Sequence, residues 1–140
     1  GDPMMPAFAG LVSGAAEKVK VIMAGGTQMG AILTILKTEK PEALKNVAIG
    51  TTRWIIEDKS SDIKGIINQF GRIPLLAASL NFKESLHWGL NVYELGVVKE
   101  GVGAGGASIG AMLKSKGAIN AQTILKEVEK NYERLILRRL

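Results

Sequence analysis

The stretch Val97-Val98-Lys99-Glu100-Gly101-Val102-Gly103-Ala104-Gly105-Gly106-Ala107-Ser108 gathers the residue types best suited to chemistry in this chain. An apolar run ends in a carboxylate, Glu100. A glycine-rich loop follows, and then a helix of small and apolar residues begins. Glycines let backbone N–H groups approach a ligand with no Cβ in the way. The start of the following helix adds unpaired N–H groups and a positive dipole end, which suits a phosphate. A carboxylate beside such a site would repel phosphate, so Glu100 is better explained as a proton acceptor than as a binding group. The competing reading is a tight strand-to-helix turn in which Glu100 caps the helix or faces solvent.

Three other segments carry polar groups at comparable places. Gly25-Gly26-Thr27-Gln28 follows an apolar run and opens a helix, so it can hold a phosphate or a ribose. It lacks the spacing of a dinucleotide fingerprint and the lysine of a P-loop. Thr51-Thr52-Arg53 and Ser79 each end an apolar run. Gly101, Gly103 and Gly106 match G-x-G-x-x-G formally, but no further strand or acidic ribose partner follows, so the match is a false positive. His87, beside Trp88, reads as structural. Arg53 and Lys99 are candidate phosphate partners, with surface charge as the alternative.

Composition narrows the chemistry. The chain has 140 residues, no cysteine and one histidine, which excludes disulfides and thiolate metal sites and leaves little for zinc. No metal and no cofactor are expected, and a cysteine-free chain fits a cytoplasmic location. Hydrophobic residues make up 46% and charged residues 22%, ordinary for a globular protein of one domain's length. The 17 glycines against 5% aromatics suggest backbone packed closely on backbone. The net charge of +5 suggests nucleic acid at first sight. Yet Arg134, Arg138 and Arg139 alternate with Glu127, Glu129 and Glu133 in no basic stripe, as on a solvated helix face. No apolar run reaches transmembrane length, so neither nucleic acid nor membrane is expected as a partner.

The elements that must position these residues follow from periodicity. Helices are predicted over Pro6 to Glu17, Gln28 to Thr38, Asp62 to Phe70 (capped by Ser60 or Ser61), Lys83 to Trp88 and Ala104 to Ser115. Strands are predicted over Val19 to Ala24, Val47 to Gly50 and Ile73 to Leu80, with an extended piece from Asn91 to Val98. A last amphipathic helix runs from its cap Asn120 to Arg139, with Ala121, Ile124, Leu125, Val128, Tyr132, Leu135 and Ile136 on one stripe, of which Ile124, Val128, Tyr132 and Leu135 are expected to be buried on the sheet domain or across a subunit contact. The order βαβαβ gives an α/β fold, a parallel sheet flanked by helices, Rossmann-like, with a C-terminal amphipathic helix. Residues 1–118 are expected to form the α/β phosphate-binding domain, and 119–140 a helix packed on it or on a partner subunit. In such sheets ligands gather beyond the carboxyl ends of the strands, where all four polar segments fall.

Val21-Ile22-Met23-Ala24-Gly25-Gly26-Thr27-Gln28-Met29-Gly30-Ala31, the stretch from Ser79 to His87, and Tyr93-Glu94-Leu95-Gly96-Val97-Val98-Lys99-Glu100-Gly101-Val102-Gly103-Ala104 carry a resemblance. Together they resemble the C-terminal half of nicotinate-nucleotide–dimethylbenzimidazole phosphoribosyltransferases, above all the archaeal branch. The Glu-Gly-x-Gly-Ala element is its most specific part, and the likeness covers nearly the whole chain. It implies transfer of ribose 5-phosphate from nicotinate mononucleotide to a benzimidazole, giving the α-ribazole 5'-phosphate of cobamide lower ligands. It implies Glu100 as catalytic base and a homodimer. The substrate- and phosphate-binding residues expected are Gly25, Gly26, Thr27, Gln28, Thr51, Thr52, Ser79, Gly101 and Gly103.

Two departures stand against the pattern. Thr27-Gln28 replaces a bulky-acidic continuation of bacterial members. The family's N-terminal half, with further nucleotide contacts and much of the base pocket, has no counterpart here, so this stretch alone is expected to be inactive. The rival readings are a non-catalytic nucleotide- or phosphate-binding domain and an interaction module built on the last helix.

Overall fold

The computed structural model describes residues 2–96 and 102–137. Glu100 and Gly101, two of the predicted site residues, lie outside the described residues, as does Lys99.

Short β-branched and apolar runs form the sheet. Strands β1 (Val21–Ala24), β2 (Val47–Thr52) and β3 (Leu75–Ala78) lie in the order β1-β2-β3, all parallel. Val21 is level with Val47, and Thr52 with Ala78. Helices α1 (Met4–Ala16), α2 (Met29–Glu39), α3 (Arg53–Glu57), α4 (Ile63–Asn68), α5 (Trp88–Asn91), α6 (Gly103–Lys114) and α7 (Ala121–Leu137) surround it. The Rossmann-like α/β arrangement expected from the element order is therefore the observed one. No helix among the described residues is long and apolar enough to cross a membrane.

Alternation along the strands divides the interior in two, because successive side chains point to opposite faces. On one face Met23, Val47 and Ile49 pack with Val12 of α1, Ile32, Leu33 and Leu36 of α2, and Ile63 and Ile67 of α4. On the other, Ile22, Leu76 and Ala78 pack with Ile109 of α6, Leu125 of α7, and Phe82 and Leu90. Burial of these apolar surfaces, at roughly 25 cal/mol per Å², drives the assembly.

Several boundaries differ from the sequence reading for identifiable reasons. β2 runs on through Thr51 and Thr52, because their partners Ala77 and Ala78 continue the ladder. β3 begins only after Pro74, which lacks a donor but whose carbonyl accepts Ile49 N–H at 2.8 Å. Asp62, not Ser60 or Ser61, caps α4: its Oδ1 accepts Gly65 N–H at 2.9 Å. The predicted helix from Lys83 to Trp88 is instead a 3-10 turn (Phe82–Glu84) followed by α5. Where an extended piece was expected from Asn91, residues 92–96 form successive turns, the N–H groups of Tyr93 to Gly96 bonding three residues back.

The last helix starts as predicted, with Asn120 Oδ1 accepting the N–H groups of Gln122 and Thr123 at 3.0 Å. Its stripe is only partly covered. Leu125 is buried and Ile124, Val128 and Tyr132 pack against it, but Leu135 is 59% exposed and Ile136 42%. The helix outruns the surface beneath it by its final turns.

Candidate functional site

Helix α6 lies across the sheet with its first turn at the carboxyl end of β1. What lets it lie so low is glycine. A Cβ on Gly105 would stand 2.1 Å from the Thr51 carbonyl oxygen, and one on Gly106 would stand 2.6 Å from Ala24 Cα. On the strand side, a Cβ on Gly50 would stand 2.7 Å from Gly106 Cα. Helix backbone therefore rests on strand backbone. Two of the glycines read as ligand-approach residues are packing residues, the role of the third glycine in a dinucleotide fold.

That contact brings most of the predicted residues together. Gly25 N–H donates to the Gly50 carbonyl at 3.0 Å, which holds the Gly25–Gln28 turn against the end of β2. Gly26 approaches Val102, and Gly103 approaches the Ala24 carbonyl. A cleft of about 230 Å³ opens between them, lined by Gly26, Thr27, Gln28, Ile55, Ser61 and Val102. Gly26 lines it as a buried residue, Thr27 and Gln28 are exposed at its rim, and Gly25 is buried without lining it. Thr51 and Thr52 lie beneath the cleft and do not line it; both are buried, Thr51 completely. Ser79 sits on the same sheet edge, one residue beyond the Thr52–Ala78 pair, exposed and apart from the cleft.

Among the described residues, the cleft wall holds no charged side chain. Its polarity comes from hydroxyls, the Gln28 amide and the opening turns of α2 and α6. The α2 turn is tightened: Met29, Gly30 and Ala31 donate to the carbonyls of Gly26, Thr27 and Gln28, each at 3.0 Å. Ser61 and Ile55 were not read as site residues from sequence. Ser61 Oγ is buried with no hydrogen-bond partner among the described residues, as is Thr51 Oγ1. Ser61 could have been found only by knowing that the α3–α4 connection folds back beside Gly26.

Arg53 does not line the cleft and is engaged by other groups of the protein. Its guanidinium forms an ion pair with Glu94, donates from Nε to the Leu80 carbonyl at 3.2 Å, and lies 3.4 Å from Glu57 Oε2. Glu94 also accepts the Phe82 N–H at 2.9 Å. Trp54, Phe82 and Tyr93 close around this pair with ring centroids 5.1–5.7 Å apart. His87 also has a structural place: Nε2 lies 3.1 Å from Glu133 Oε1 and the ring lies on Tyr132. No cluster of three potential metal ligands exists among the described residues.

No protein-family model matches the chain. It is 46% identical over 134 residues to the UPF0284 protein of Methanopyrus kandleri, covering 96% of this chain and 35% of that protein. It is 52% identical to the UPF0284 protein of Sulfurisphaera tokodaii, with 96% and 37% covered. To that of Gloeobacter violaceus it is 41% identical, with 92% and 35% covered. The chain spans about a third of the length of these relatives. Along nearly all of its own length, it is related to one segment of the UPF0284 proteins.

Proposed function

We propose that this segment belongs to an enzyme that transfers ribose 5-phosphate from nicotinate mononucleotide to a benzimidazole-type base, releasing nicotinate. The observation that carries the reading is the cleft where two glycine-bearing helix starts, at Gly26–Gln28 and at Val102–Gly103, meet on the carboxyl edge of a parallel sheet. Such edges are where α/β folds take phosphorylated ligands. Glu100 precedes Val102, a wall of this cleft, by two residues in the sequence.

The chemistry suits these groups. A benzimidazole nitrogen attacks the anomeric carbon as the bond to the nicotinate nitrogen breaks, inverting a β to an α linkage. The proton on the attacking ring passes to the Glu100 carboxylate. Backbone N–H groups and hydroxyls at the cleft hold the phosphate. The substrates, the base role of Glu100 and the completion of the site by the rest of a full-length relative are all parts of this proposal.

The test is nicotinate release by a full-length protein carrying this segment, given nicotinate mononucleotide and dimethylbenzimidazole. Glu100→Gln keeps the shape and removes the proton acceptor. It should lower kcat by about 100-fold, the scale for a general base, and leave the nucleotide KM nearly unchanged. Phosphate-dependent nucleotide binding without nicotinate release would favour a non-catalytic binding domain instead.

A further inference from the structure

The connection between α3 and α4 is fixed at both ends. Ile55 and Ile63 are buried, at 8% and 1% exposure. Between them, Asp58 Oδ1 accepts the Ser60 N–H at 2.9 Å and the Ser60 hydroxyl at 2.7 Å. Ser61 N–H donates to the Asp58 carbonyl at 3.2 Å, and Asp62 caps α4 through the Gly65 N–H. The backbone around Ser61 is therefore held by hydrogen bonds and by a core side chain on either flank.

The Ser61 hydroxyl is not held. Ser61 lines the cleft, and its Oγ is buried with no hydrogen-bond partner among the described residues. A buried hydroxyl left unpaired lowers stability, and native folds keep few of them. The same turn satisfies its neighbour Ser60 in full view of solvent, where the loss of a bond would matter less. The group that uses Ser61 has to come from what enters the cleft.

The other polar groups of the cleft define its chemistry. Hydrogen bonding at the start of α2 begins with Met29 N–H. The N–H groups of Gly26, Thr27 and Gln28 donate to nothing among the described residues. Three successive free N–H groups opening an eleven-residue helix favour an anion. A serine hydroxyl can donate to the same anion. No carboxylate stands among the described lining residues to repel it.

We propose that Ser61 is a phosphate-binding residue of this cleft, its hydroxyl donating to an oxygen of a phosphate seated on the N–H groups of Gly26 to Gln28. One step about χ1, between staggered wells, carries the hydroxyl to the ligand. The inference rests on the reading of the cleft as a phosphate site, and adds a donor from a segment that carries no glycine loop. In the empty protein the unpaired hydroxyl costs stability, and the bound phosphate relieves it.

Thermal unfolding and titration calorimetry of the chain with inorganic phosphate test this. The parent should bind phosphate. Ser61→Ala should raise the ligand-free Tm by a few degrees, because it removes an unpaired buried group. The same variant should raise the phosphate Kd by about tenfold, the scale of a hydrogen bond to a charged group. Ser60→Ala should do the reverse, lowering the ligand-free Tm and leaving the phosphate Kd unchanged. A Ser61→Ala chain that is less stable when empty, or that binds phosphate as the parent does, would overturn the proposal while leaving the phosphoribosyl reading in place. So would a Ser60→Ala chain that loses phosphate affinity as much as Ser61→Ala, since the turn as a whole would then be responsible. A parent that binds no phosphate would overturn the proposal together with the phosphate site. Absence of nicotinate release by a full-length protein would sink the transfer reaction and leave the Ser61 result standing.

Discussion

Gly105 and Gly110 stand one and a half turns apart on α6, yet their substitution by alanine should have opposite effects. A Cβ at 105 would meet the Thr51 carbonyl at 2.1 Å, and backbone on both sides leaves nothing flexible to yield. Gly105→Ala should destabilise the chain by about 2–3 kcal/mol, at the upper range for overpacking, because α6 must lift from β2. A Cβ at 110 meets nothing within 4 Å. Gly110→Ala should therefore stabilise by about 0.5–1 kcal/mol through helix propensity and a restricted unfolded chain. Urea unfolding of the two variants beside the parent checks both signs. Glu94 offers a second test, since it satisfies both the Arg53 guanidinium and the Phe82 N–H while only 13% exposed. Glu94→Ala leaves both donors partly buried without that acceptor and should cost about 2–3 kcal/mol in the same assay. None of this was legible from residue types. Arg53 read as a phosphate partner or as surface charge, and its pairing with Glu94 was hidden because that carboxylate lies 41 positions away in sequence.

Among the elements, α7 is held by a polar clasp as well as by Leu125. Glu129 Oε1 accepts the Ser85 hydroxyl at 2.7 Å and the Leu86 N–H at 3.2 Å, tying the helix to the turn before α5. The Ser85 hydrogen bond chiefly holds the Glu129 carboxyl below its ordinary value, helped by the Leu86 N–H against the opposing effect of desolvation. A carboxylate favoured in the folded state contributes stability above its unfolded pKa, near 4.3. That contribution is lost as pH falls through the lower folded value. Acidification below about pH 4 should thus loosen α7, seen as faster amide exchange over residues 121–132, and Glu129→Gln should flatten that dependence. Leu125→Ala should destabilise by about 2–4 kcal/mol whatever the pH, by opening a cavity against Ile109.

The same scale shows where periodicity sufficed. α2 and the core half of α7 were legible because their apolar residues recur at helical spacing and their faces meet the sheet. The stretch from Asn91 to Val98 read as extended because Val92, Tyr93, Val97 and Val98 favour strands. Tertiary contacts override that preference, since Tyr93 must reach Trp54 and Phe82 while Glu94 reaches Arg53.

For the molecule as a whole, a three-stranded parallel sheet with two differently built faces was foreseeable from alternating strand and helix patterns. The convergence of Gly25–Gln28 with the start of α6 was foreseeable too, because parallel sheets deliver strand ends to one edge. The closeness of that convergence was not, since it depends on Gly50 and Gly106 lying on facing surfaces. Side chains between two packed elements normally act as a compliant layer, rotating to absorb small shifts. Where Gly105 and Gly106 of α6 rest on β2 there is almost none of that layer. The twelve-residue helix thus behaves as a stiff bar bolted to the sheet, one end against the cleft at Val102 and the other near Met112, beside the α7 core. A shift imposed at the cleft end would therefore pass along α6 toward the place where α7 docks.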